Sequence, residues 1–102
     1  MYLVVLCTVP DAPTGQKLAR TLVQEGLAAC VNLLPGLTSV YRWQGEVQEN
    51  PELLLLCKTR QERYPALEHR IRELHPYQVP EIVALRIESG SQSYLDWIGQ
   101  NT

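Results

Sequence analysis

Residues 75–81 read HPYQVPE, which places an imidazole, a phenol, a carboxylate and two prolines in one short stretch. His75, Tyr77 and Glu81 are the groups a stiff loop would present to a ligand: a proton-carrying or metal-binding nitrogen beside acidic oxygens. The prolines by themselves require no ligand. Pro76 forbids helix continuation, and Pro80 keeps Val79 extended. His75 also has a structural use, because a protonated imidazole at a helix C-terminus complements the dipole. A simple connector needs neither Tyr77 nor Glu81. Cys7 is a second candidate. It closes an apolar run just before a helix N-terminus, a position that favours thiolate, the soft ligand for copper(I). The alternative is an inert thiol packed as a small hydrophobe, the reading expected for Cys57 and Cys30. Lys58 directly follows LLLLC. It either snorkels to water or anchors an anion, although no glycine-rich phosphate loop accompanies it. His69, between Glu68 and Arg70, reads as solvated.

The elements that carry these residues follow from periodicity. YLVVLCTV, residues 2–9, is a β-branched run too short for a helix and reads as a strand. Asp11 caps a helix with Pro13 in its first turn, an apolar stripe at Leu18, Leu22 and Val23, and a stop at Gly26. A second strand is expected over residues 27–34, bent at Pro35-Gly36 and continued over 38–43. Gln44-Gly45 makes a tight hairpin turn. Asn50-Pro51 is expected to interrupt the return strand, which resumes over 52–59. A second helix starts between Gln61 and Pro65, buries Leu67, Ile71 and Leu74, and ends at Pro76. Residues 81–88 form the last long strand. Ser91 or Ser93 caps a short final helix with Leu95 and Ile98. The order β-α-β-β-α-β-α predicts an α+β fold. It is a ferredoxin-like split βαβ sandwich, with an antiparallel sheet in order 4-1-3-2, two long helices on one face and a short C-terminal helix.

An antiparallel sheet with one wet face alternates apolar and polar residues. The two central strands do not: YLVVLC and LLLLC are apolar at every position. Two helices cover one face, and a nine-residue tail is too small to cover the other. Leaving four or five Leu or Val side chains in water would forfeit on the order of 10 kcal/mol. Identical copies closing around one another are the economical cover. The long hairpin arm fits the same expectation, with Tyr41 and Trp43 packing on a neighbour.

The stretches LAACVNLLPGLTSVYRWQGEV, LLLLCKTR, HPYQVPEIVALRI and YLDWI occur in that order. With these motifs the chain resembles the CutA family of divalent-cation tolerance proteins over nearly its whole length. The resemblance implies a single ferredoxin-like domain over residues 1–102 and a homotrimer of PII-like architecture. It also implies a part in tolerance of copper and other divalent metals, with a cleft between subunits as the ligand site and no secure catalytic reaction. The family's proposed metal residues map onto Cys7 and His75. Leu74 precedes His75, where some members carry a second histidine. One Cys and one His are an incomplete set for tight zinc. Copper or another divalent metal is therefore expected to bind weakly or to be shared between chains, with no organic cofactor. Lys58, Tyr77 and Glu81 are the expected cleft residues. The alternative function is a PII-like sensor of a small anionic metabolite or nucleotide.

Composition excludes other classes. The net charge is −2, which argues against life on a phosphate backbone. RNA-recognition domains share this topology but stack bases on aromatic residues of the central strands, where this chain has leucines. Metallochaperones of the same order present a CxxC, and the three cysteines here form none. They are expected to stay reduced. No apolar run is long enough to span a membrane, and no signal-like segment precedes the first strand. A cytoplasmic, non-enzymatic binding protein is the expectation.

Overall fold

In a computed structural model describing residues 1–102, four strands form one antiparallel sheet in the order β2-β3-β1-β4. They are β1 (Tyr2–Val9), β2 (Cys30–Trp43), β3 (Glu46–Arg60) and β4 (Val83–Arg86). The helices are α1 (Ala12–Gln24), α2 (Tyr64–Leu74) and α3 (Gln92–Gln100), with a 3-10 turn over Gln61–Arg63 leading into α2. Strand order and helix count are those the sequence predicts. Asp11 caps α1 by accepting a 2.9 Å bond from the Thr14 N–H, and Ser91 caps α3.

Alternation along the strands divides the sheet into two faces. Leu3, Val5, Cys7 and Val9 of β1, with Leu55 and Cys57 of β3, are buried against Leu18 and Leu22 of α1 and Leu67 and Ile71 of α2. The outer face is set by the register. Val4 lies opposite Lys58, Leu6 opposite Leu56 and Thr8 opposite Leu54. Cys30, Asn32 and Leu34 of β2 and Val83 and Leu85 of β4 complete it.

Several boundaries differ from the expectation. Strand β2 begins at Cys30 rather than Leu27 because α1 ends in a Schellman motif. Gly26 takes φ 71°, and the N–H groups of Gly26 and Leu27 bond back to the carbonyls of Val23 and Leu22. That leash holds residues 26–28 against the helix. Strand β3 is not interrupted at Asn50-Pro51, and Pro51 pairs with Thr38. Pairing with β1 stops at Leu53, so Pro51 lies on a two-stranded arm with one open edge, where a missing N–H is tolerated. Strand β4 spans only Val83–Arg86 instead of residues 81–88. Pro80 supplies no donor, and the chain joins the sheet only at Val83.

The tail covers only part of the outer face, as its length predicts. Helix α3 does lie on the outer face, but only at one end. A Cβ on Gly99 would meet the Tyr2 hydroxyl, Arg60 donates to Thr102, and Ile98 is fully buried. The two edge strands of that face stay open: Leu34 on β2 and Val83 and Leu85 on β4 are 54%, 48% and 51% exposed, with half-buried Val4, Leu6, Leu54 and Leu56 between them. The β2–β3 arm extends the molecule to 44 Å against 25 and 23 Å in the other directions.

Candidate functional site

Past the last rung of β4, strand β1 runs on alone on that edge. Even-numbered residues of β1 turn their carbonyls toward β4, as the Tyr2 carbonyl does in accepting from the Ile87 N–H. Thr8 therefore has a carbonyl with no strand partner. His75 replaces it. Its Nε2 lies 2.7 Å from the Thr8 carbonyl. Its Nδ1 accepts from the Tyr77 N–H at 3.1 Å, which fixes the proton on Nε2. Both ring nitrogens are committed, and the residue is 7% exposed. The imidazole thus turns back to β1 instead of facing the C-terminal carbonyls of α2, which corrects the helix-dipole reading. The sequence HPYQVPE is both a connector and a clamp.

The clamp holds Tyr77 in place. The Tyr77 ring packs against His75 with centroids 4.7 Å apart, and its hydroxyl donates to Glu52 Oε2 at 2.7 Å. Burial and the Glu52 carboxylate push the Tyr77 phenol well above its usual range. Between this loop and the root of the hairpin arm lies a cleft of about 700 Å³. Thr8 and Glu52 line it from the sheet, Tyr41 and Trp43 from the arm, and Tyr77 and Glu81 from the loop. The Tyr41 hydroxyl accepts from Asn50 at 2.8 Å, which fixes that ring.

The structure thus gathers four of the expected residues, Tyr41, Trp43, Tyr77 and Glu81, around one cleft. It adds Glu52, which sequence reasoning missed. A lone acid heading the apolar run ELLLLC, in phase with outer-face Leu54 and Leu56, was the available signal. Cys7 and His75 sit behind the cleft wall, not on its lining. Cys7 is fully buried on the helix side. Burial, then the Glu81 and Glu52 carboxylates, push its thiol up to about 12, away from thiolate. The nearby helix N-terminus does not outweigh them. A protonated buried thiol and an imidazole with both nitrogens engaged do not fit a metal within this protomer. No group of three or more His, Cys, Asp or Glu side chains is arranged to hold one.

Lys58 lies elsewhere on the outer face, bonded to Asn32. It is six residues from Glu52 along β3, about 20 Å at strand rise. The lining of the cleft contains two carboxylates and neither Lys nor Arg. Such a site attracts cations and repels anions.

Comparison with known proteins bears on this geometry. A family model described as CutA1 divalent ion tolerance protein matches residues 3–101. The chain is 59% identical over 99 residues to the divalent-cation tolerance protein CutA of Thermus thermophilus, covering 97% of this chain and 96% of that protein. It is 49% identical over 100 residues to the chloroplastic CutA of Arabidopsis thaliana, covering 98% of this chain and 55% of that longer protein. The solved structure of the Thermus thermophilus protein superposes with a TM-score of 0.98 at 58% identity, covering 100% of this chain and 99% of that one.

Proposed function

This chain belongs to the CutA1 divalent ion tolerance family, and from that premise we propose that it acts in divalent-cation tolerance as a homotrimer. Each cleft then lies where one subunit meets the next and takes a cation there. The observation that carries this reading is the continuity of two features on one face. The open apolar patch spans the outer face from Leu34 on β2, across half-buried Leu54 and Leu6, to Val83 and Leu85 on β4. The cleft of Thr8, Glu52, Tyr77 and Glu81 opens at the end of that face. Copies that bury the patch bring a neighbouring surface up to the cleft.

The groups that offer themselves to a metal are the oxygens of Glu52 and Glu81. Carboxylates suit hard divalent cations, and two of them bind weakly until a neighbour adds ligands. Cys7 and His75, the positions implied by the family resemblance, support this site from behind. His75 holds the loop in place, and Cys7 fills the core beneath it. The protein binds and does not turn over. The three free cysteines suit a reducing compartment such as the cytoplasm. The anionic-metabolite reading would need a base from a neighbouring subunit, because Lys58 stands at the far end of the face.

Metal titration tests this assignment. Copper(II) and zinc(II) are titrated into the purified chain, the Glu52→Gln/Glu81→Gln variant and the Cys7→Ser/His75→Ala variant by calorimetry. Loss of binding in the carboxylate variant alone supports the reading. Loss only in the Cys7/His75 variant, with its melting profile intact, would return the site to the thiol and imidazole.

A further inference from the structure

The cleft is more than a pair of carboxylates. Aromatic rings wall it on two sides, with Tyr41 and Trp43 on the arm and Tyr77 on the loop. Ring faces carry negative potential, and a cation without a tight hydration shell gains by lying against them. Glu52 is 7% exposed, and its one hydrogen bond comes from Tyr77. Neither Glu52 nor Glu81 has an ion-pair partner in the chain. At about 700 Å³ the space admits an organic molecule, within the range usual for small-ligand sites.

We propose that this cleft is a binding site for an organic ammonium ion, whose charged head pairs with Glu52 and Glu81 and whose apolar body lies between Tyr77 and the Tyr41–Trp43 wall. The inference rests on the reading that the cleft takes cations, and it adds a ligand class distinct from a metal. The two ligands share carboxylates and exclude each other. Tyr77 does not itself ionise at neutral pH. It orients the Glu52 carboxylate and offers its ring.

Fluorescence of Trp43 reports occupancy. The chain has two tryptophans, Trp43 and Trp97, so the titrations use a Trp97→Phe background, which retains a ring to stack on Tyr94. Benzylammonium chloride and its neutral analogue benzyl alcohol are titrated into the assembled protein, with excitation selective for tryptophan. The expected result is saturable quenching by benzylammonium, with an apparent Kd at least about tenfold lower than for the alcohol. Glu52→Gln, which keeps an acceptor for Tyr77, is expected to abolish that difference, as is Glu81→Gln. Zinc(II) is expected to displace the amine competitively. Equal binding of amine and alcohol would overturn the proposal, leaving an apolar pocket. Binding of zinc(II) without the amine would overturn it while sparing the cation reading of the cleft. Binding of neither would overturn both.

Discussion

His75 shows how a residue that looks like a ligand can be spent on the backbone. With Thr8 beyond the reach of β4, its carbonyl would be left with only the weak Cys7 thiol, 3.8 Å away, and losing a buried partner costs about 1–3 kcal/mol. His75→Phe keeps the ring volume and removes the donor. We expect it to lower unfolding stability by about 1–3 kcal/mol in urea titrations; a neutral result would mean that the Nε2 bond to Thr8 contributes nothing. The thiols make a separate prediction. Cys7 and Cys57 are both pushed up from 9.0 to about 12, chiefly by burial, with nearby carboxylates adding for Cys7. A folded pKa above the unfolded one means that the native state holds the proton more tightly. The stability they contribute is complete below pH 9 and is lost as pH rises toward 12, at about 1.4 kcal/mol per pH unit for each thiol. Unfolding midpoints measured between pH 8 and 11 should fall above pH 9. Cys7→Ala, though less stable at neutral pH, should show a shallower decline; the same slope in both proteins would acquit Cys7. These roles were hidden in the sequence for a physical reason. The residue types were legible, but whether a thiol ionises or an imidazole is free depends on burial and on which carbonyl lacks a partner.

At the scale of elements, the hairpin is the place where local chemistry and sequence disagree slightly. Gln44 and Gly45 take φ 51° and 82°, the paired positive values of a type I′ turn. Glycine accepts this freely, whereas Gln44 sits in a conformation that Asn tolerates better. Gln44→Asn should therefore raise stability by about 0.5–1 kcal/mol, and Gly45→Ala should lower it by at least as much. Thermal unfolding of the two variants decides this, and a destabilised Gln44→Asn would refute the strain. The turn itself was readable from Gly45. The unbroken strand behind it was not, because a proline looks like a break until one knows that β1 has already ended and left that edge open. The same ending of β1 frees space for Glu52 to meet Tyr77. Glu52 belongs to a strand by sequence and to a cleft by topology, so the candidate site was legible in its loop and arm but not in its floor.

The whole molecule is governed by the second face of its sheet. The absence of alternation in YLVVLC and LLLLC signalled two apolar faces, and the register confirms them. What the pattern could not tell was the division of that face: α3 takes the end near Tyr2 and Arg60, and the edge strands β2 and β4 remain open. The direction in which a short tail folds depends on tertiary contacts such as the Arg60–Thr102 bonds, which leave no periodic trace. Because Leu34 and Leu85 are about half exposed within one chain, charging them costs a lone subunit little. A buried, unpaired ammonium in an interface costs several kcal/mol. Leu34→Lys and Leu85→Lys should therefore dissociate the proposed trimer while leaving the protomer folded. Val23→Lys, at a similarly exposed position on α1, should leave the assembly intact. Light scattering after gel filtration reads the outcome as a fall from three chain masses to one, with circular dichroism reporting the fold. A wild-type chain that already runs as a single subunit, or Leu85→Lys that stays assembled, would show that this patch is not what joins the copies.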